Sequence, residues 1–392
     1  MPNAFLVAPV RTPIGKFLGS LSSLPATTLA ARCIAETVKR SGLDPATIDD
    51  VIIGQVLQAG AGQAPARQAA LQAGLPSRIP AATVNMVCGS GLRAVMLAAQ
   101  AIHAGDARVV IAGGMESMSR APHILRGGRD GFKMGTATLD DAVILDGLWC
   151  SADQCHMGQH AEYTAKKWNV SRADQDAWAF QSQQRASEAM AAGAFADEIV
   201  TVTLNVKGKE TVVSTDEGPR PDTTLEGLAR LKPAFDPAGA VTAGNASTLS
   251  DGAASILVID EATATHSASL DPCRVVASAM SGGDPRDLFI APVTAIRRLL
   301  EKTRLTVDDV DLFELNEAFA SQVVAGVREL RLSPERVNVH GGAIALGHPI
   351  GASGTRVLVT LLHALRRRGL KRGLASLCLG GGNAVALLVE RS

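Results

Sequence analysis

Four short stretches of this chain carry residues able to do chemistry. In "NMVCGSGLRAV" (Asn85–Val95), Cys88 precedes a Gly-Ser-Gly turn and a stretch with helical periodicity. If a helix begins at Ser90 or Gly91, the thiol lies beside its unpaired amides and positive dipole end, which favour a thiolate. Gly89 and Gly91 then read as positions that let a substrate approach the backbone. The N–H of Cys88 is placed to donate to a developing oxyanion. A buried structural cysteine is the alternative reading. In "ALGHPIGASG", His348 sits in a Gly-rich turn before a second helix, where an imidazole can take a proton from a thiol. In "SLCLGGGNA", Cys378 ends an apolar strand before three glycines, and in "ELNEAFA" Asn316 and Glu317 end another. Strand ends are where α/β folds commonly place sites. A core cysteine and a helix-capping Asn are the plainer readings of these two.

The elements that must position these groups occur twice. "LDPATIDDVIIGQVLQA" (Leu43–Ala59) echoes "LTVDDVDLFELNEAFA" (Leu305–Ala320), and the Cys88 block echoes the His348 block. Each of the latter runs through a Gly-rich turn and a helix into an apolar strand that ends in Gly-Gly. Leu92, Val95, Met96 and Ala99 share one helical face, as do Val357, Leu361 and Leu365. Alternating strands and helices predict α/β layers, and the repeat predicts two similar halves that bring the two helix starts together. Between them, roughly 119–250, lies a different segment with all three tryptophans and the only tyrosine, Tyr163. "SRADQDAWAFQSQQRASEAM" reads as a helix capped at Ser171 with Asp174 closing the box. "STDEGPRPDTTLEGL" and "KPAFDPAGAVTAGNAS" read as loops, and an irregular insertion of this length often covers a site.

The chain has 392 residues, 46% hydrophobic, with 38 Lys+Arg against 38 Asp+Glu. That is globular, with no basic surface for nucleic acid and no apolar run of the roughly 18 residues a membrane span needs. The start, "MPNAFLVAPVRTPIGKF", reads as a first strand and the end, "LLVERS", is not a peroxisomal tripeptide. Six cysteines in such a length are not a disulfide framework, so a reducing cytoplasm is expected. Cys150, Cys155, His156 and His160 cluster, but their spacing is poor for structural zinc, and no metal is expected. The Gly-rich turns are neither a P-loop nor a dinucleotide fingerprint.

Taken together, "NMVCGSGLRAV", "GGMESMS", "NASTLSDGAA", "NEAFA", "GGAIALGHPIGASG" and "CLGGGNAVAL" resemble the thiolase family, in its order and over nearly the whole chain. The resemblance implies an α/β fold of duplicated βαβαβ halves layered αβαβα. The N-terminal half would be 1–118 and 251–270, the inserted CoA-binding loop domain 119–250, and the C-terminal half 271–392. It implies an acetyl-CoA C-acetyltransferase that joins two acetyl-CoA reversibly, with broader-chain or β-ketoadipyl-CoA thiolysis as the alternative and a non-catalytic lipid carrier as a distant one. By resemblance Cys88 is the nucleophile, His348 its base, and Cys378 the acid–base group at the second substrate's α-carbon. Asn316 with His348 would form one oxyanion hole, and the N–H groups of Cys88 and Gly380 the other. His156, Met157, Ser247 and Arg220 would meet the CoA arm, with Leu148, Phe235, Ala243, Ala318 and Phe319 along the channel. Leu288 would stand in the acyl pocket. The expected partners are acyl-CoA substrates and further copies of the chain, as a dimer of dimers built on the loop "ILRGGRDGFKMGTATLDD"; no cofactor is expected.

Overall fold

The structure is a computed structural model describing residues 2–206, 208–266 and 270–391; residues 1, 207, 267–269 and 392 of the expected segments lie outside these. In the first half, strands β1 (Ala4–Arg11), β2 (Asp50–Gly54), β3 (Ala81–Val84), β4 (Val109–Ser117) and β5 (Ser250–Asp260) form one run. β5 pairs antiparallel with both β1 and β4, and β2 pairs parallel with both β4 and β3. The second half repeats this with β6 (Cys273–Gly282), β7 (Leu312–Leu315), β8 (Arg372–Leu379) and β9 (Asn383–Arg391). β9 pairs antiparallel with β6 and β8, β8 parallel with β7, and Val337 bridges Phe313 in parallel where β3 would recur. The two runs meet at a narrow antiparallel seam, Phe5↔Arg274 and Leu6↔Cys273, so the ladder is continuous through both halves.

Between the two halves of the sheet lie α3 (Ser90–Ala104) and α8 (Ile350–Arg368); the chain also forms α1 (Ala26–Ser41), α2 (Pro65–Gln72), α4 (Met157–Lys167), α5 (Arg172–Ala191), α6 (Ala291–Thr303) and α7 (Ala320–Leu330). Both central helices pack on each other and on strands of both halves, while α1 covers the outer face of the first sheet and α6 that of the second. The expected one-sided apolar faces are therefore only part of the pattern. Every residue of α8 from Ile350 to Leu365 is buried, because a helix between two sheets has no solvent face. The helices cross at Gly91 and Gly354. A Cβ on Gly91 would stand 2.7 Å from Thr355 N, and one on Gly354 would collide with Leu92 N.

Among the described residues, the segment between β4 and β5 adds no strand to this sheet. It contains α4, α5, three small hairpins and a short helix, Leu225–Ala229, inside the expected loop. The Ser171–Asp174 capping box forms as the sequence predicts. The segment is stapled to β1 by the buried Arg11, whose Nε meets Glu198 at 2.6 Å and whose Nη1 meets Asp216 at 2.7 Å. Among the described residues, no helix is long and apolar enough to cross a membrane.

Candidate active site

The turn before α3 is held in an unfavourable shape. Val87 has φ 48°, a left-handed conformation that is costly for a β-branched residue. Three hydrogen bonds hold it there. Asn85 Oδ1 accepts from Val87 N at 3.0 Å, Ser90 Oγ accepts from Met86 N at 2.9 Å, and the same hydroxyl donates to Val87 O at 2.6 Å. The helix begins at Ser90 as expected, with Cys88 just ahead of it. The backbone N–H groups of Gly380 and of Cys88 itself lie toward Cys88 Sγ and favour its charged form. The predicted lowering of its pKa is nevertheless overturned. Burial pushes the thiol up to about 12, the nearby Glu116 adds to this, and the two N–H groups recover only part of it. Gly89 and Gly91 also serve differently from expectation. A Cβ on Gly89 would strike Leu379 and Val385, so both glycines allow close packing and neither admits substrate.

His348 is carried by the turn between a short helix, Ala343–Leu346, and α8. Its Nδ1 lies 2.6 Å from Ser353 Oγ, whose single proton is donated to Pro349 O at 2.9 Å. Ser353 therefore accepts from Nδ1–H, and the lone pair sits on Nε2. Nε2 faces Asn316 Nδ2 at 3.5 Å, and Asn316 Oδ1 is buried without a hydrogen bond among the described residues. Burial, helped by the Arg356 charge, pushes His348 down to about 3, so the imidazole is neutral. Cys378, at the end of β8, is buried and its thiol is raised well above the usual range by burial and by the neighbouring Cys88. The resting centre thus holds two thiols and an imidazole, all uncharged.

These groups open on one cavity of about 520 Å³. Every site residue expected from sequence lines it except Asn316, which stands behind His348 with no exposure. The insertion forms the outer wall. His156 stacks on Phe235 with ring centroids 4.9 Å apart, an approach that requires Gly158, where a Cβ would collide with the Phe235 ring. Leu288, Phe289 and Phe319 add an apolar part of the lining, Phe289 and Phe319 edge to face at 5.3 Å. Arg220 and Lys16 stand exposed on the lining.

Sequence reasoning missed Lys16, Phe289, Ser353 and Glu116. The last had a signal, a carboxylate inside the apolar run "VVIAGGMES". Glu116 accepts N–H bonds from Val56, Leu57 and Gly351, tying the start of α8 to the first half, and burial pushes it up to about 7. Glu317, adjacent to Asn316, points elsewhere. It accepts from Trp178, Ser182, Asn338 and Ile344, and it holds α5 against the second half. Of the cysteine–histidine cluster, Cys150 and His160 come together with Asp153, and His156 does not.

Known proteins resemble this chain over its full length. The thiolase N-terminal domain matches residues 4–262 and the thiolase C-terminal domain residues 271–391. The chain is 52% identical over 393 residues to an acetyl-CoA acetyltransferase of Cupriavidus necator, covering 100% of both chains. It is 52% identical over 392 residues to an acetyl-CoA acetyltransferase of Pseudomonas aeruginosa, again covering 100% of both. It superposes on the crystal structure of the Bacillus anthracis acetyl-CoA acetyltransferase with a TM-score of 0.98 at 43% identity, covering 100% of this chain and 99% of that one. With its duplicated halves, its paired thiols and both domain matches spanning nearly its full length, the chain belongs to the thiolase family.

Proposed function

We propose that this thiolase is an acetyl-CoA C-acetyltransferase, catalysing the reversible Claisen condensation of two acetyl-CoA to acetoacetyl-CoA and CoA. The observation that carries this reading is the convergence of Cys88, His348, Cys378 and Gly380 on one cavity. His348 Nε2 takes the Cys88 proton as the sulfur attacks the thioester, and the carbonyl oxygen turns toward the N–H groups of Cys88 and Gly380. CoA leaves with the proton that His348 took from Cys88, and Nε2 then receives the proton of Cys378. The Cys378 thiolate then removes an α-proton from the second acetyl-CoA. The new Nε2–H of His348, with a water on the orphaned Asn316 Oδ1, holds the enolate oxygen. The carbanion attacks the acetyl-cysteine, and the released Cys88 sulfur regains its proton from Nε2. Each group ends as it began.

The bulky apolar side chains of Leu288, Phe289 and Phe319 on the lining support a short acyl group. Lys16 and Arg220 supply positive charge for the phosphates of CoA, and His156, Met157, Phe235, Ala243 and Ser247 supply a channel for its arm. In this reading 119–250 is the CoA-binding insertion between the N-terminal half (1–118 and 251–270) and the C-terminal half (271–392), and no cofactor beyond CoA thioesters takes part. The six free cysteines fit a reducing cytoplasm. The test is CoA-dependent thiolysis of 3-ketoacyl-CoA substrates from four carbons upward. Acetoacetyl-CoA is expected to lead by about 10-fold or more in kcat/KM over the next homologue, the scale of a methylene that does not fit. Equal or better rates on longer or carboxylated chains would instead assign a degradative thiolase with the same catalytic groups.

A further inference from the structure

A second cluster of ligating side chains lies behind the channel wall, in the hairpin Trp149–Cys150/Cys155–His156 that leads into α4. Sequence spacing argued against a metal, and one of the four residues considered is indeed committed elsewhere: His156 Nδ1 accepts from Gly158 N at 3.0 Å. The fold supplies a replacement. Cys150, Asp153 and His160 each bring one ligand atom to within 4.8 Å of the others. Cys150 is 4% exposed and His160 3%. His160 Nε2 is 2.9 Å from Asp153 Oδ2, but at an angle that makes no hydrogen bond, and among the described residues both ring nitrogens and that oxygen are left without one. A buried imidazole with two unpaired nitrogens is costly unless something binds it. The other carboxylate oxygen, Oδ1, is turned toward Arg286 at 3.9 Å, which leaves Oδ2 for the cluster.

We propose that Cys150, Asp153 and His160 bind one divalent cation of the zinc type. Thiolate, imidazole and carboxylate together are a donor set that suits such an ion. Tetrahedral coordination places ligand atoms about 3.5 Å apart, so the three side chains need to close by roughly 1 Å. Cys155 stands opposite Cys150 in the ladder but lies outside the group of three, so water supplies the fourth position. The ion joins the hairpin to the first turns of α4, and so fixes His156 and Met157, which line the substrate channel. It touches neither Cys88 nor Cys378.

The test titrates the reduced, chelator-treated protein with cobalt(II) alone. One ion per chain is expected, with a thiolate-to-cobalt charge-transfer band and the intense visible bands of a tetrahedral site. The charge-transfer band should weaken in Cys150→Ser, affinity should fall at least tenfold in Asp153→Asn, and both should persist in Cys88→Ala. The proposal fails if no band appears, if Asp153→Asn binds as well as wild type, or if Cys88→Ala abolishes the signal, which would place the ion at the catalytic thiols. Asp153 is partly exposed, so this variant decides the matter even where Cys150→Ser does not fold. Zinc alone should also raise the melting temperature of wild type and not of Asp153→Asn; equal shifts would overturn the site.

Discussion

Ser353 determines which nitrogen of His348 is free. Its hydroxyl proton goes to Pro349 O, so it accepts from Nδ1–H and leaves Nε2 as the base. Replacing Ser353 by Ala removes that constraint without touching the cavity lining. Acylation should slow about 10- to 100-fold with KM little changed, read by rapid-quench acylation at saturating acetyl-CoA; an unchanged rate would mean that packing alone orients the ring. The two thiols separate by experiment as well. Cys88→Ala should give no acetylated protein by intact mass. Cys378→Ser should acylate normally yet condense 100-fold slower or worse, since a hydroxyl is a far weaker acid than a thiol. Wild-type condensation by that variant would remove Cys378 from the mechanism. Among the charged residues, Glu314 has both carboxylate oxygens buried without hydrogen bonds among the described residues, 3.9 Å from Arg356. Burial outweighs that arginine and pushes Glu314 up from 4.5 to about 8. A raised carboxyl holds its proton more tightly in the folded chain. Its contribution is therefore complete below pH 4.5 and lost as pH climbs through 8, while Glu116 acts the same way up to about 7. His348, lowered from 6.5 to about 3, acts in the opposite sense and is already complete above 6.5. The melting temperature should thus decline between pH 6.5 and 8, and Glu314→Gln should flatten that decline; a parallel curve would place the slope elsewhere.

At the scale of elements, the turn Asn85–Ser90 aims the nucleophile, and its cost is concentrated at Val87. A glycine there adopts φ 48° without steric penalty but gives up the side chain that lies against Gly380. Val87→Gly is expected to keep or raise stability by up to about 1 kcal/mol while acylation falls about tenfold, measured by thermal unfolding alongside kcat. A loss of stability with unchanged kcat would show that Val87 serves packing and does not aim the thiol. The turn itself was legible, since a cysteine before Gly-Ser-Gly and a periodic apolar run marks a helix start. Its strain was not, because valine carries no sign in sequence that its φ will be positive.

At the scale of the molecule, the arm between the paired segments His123–Ile124 and Asp140–Asp141 exposes large apolar groups: Phe132 at 53%, Met134 at 99% and Leu139 at 61%. Apolar groups gathered on a projecting arm are characteristic of a surface that another chain covers. We propose that this arm joins dimers into a dimer of dimers. Phe132→Asp with Met134→Asp should reduce the mass seen by light scattering to that of a smaller assembly, with the melting temperature of the chain little altered. An unchanged mass would locate the contact elsewhere.

Much of this protein is decided along the chain. The repeated turn–helix–strand blocks, the helix starts behind Cys88 and His348, and the thiols at turn and strand end all depend on local periodicity, glycine and residue type, which sequence records directly. The tertiary structure decided what depends on burial and on distant neighbours. Cys88 is a weaker acid than an ordinary thiol, against the pull of its helix terminus, because burial disfavours the thiolate. Glu317 bonds α5 and does not face the cavity, Asn316 stands behind His348, and Asp153 meets Cys150 and His160 only because a hairpin folds back. Such outcomes follow from desolvation and from which elements come to lie together, and neither is a property of any short stretch of sequence.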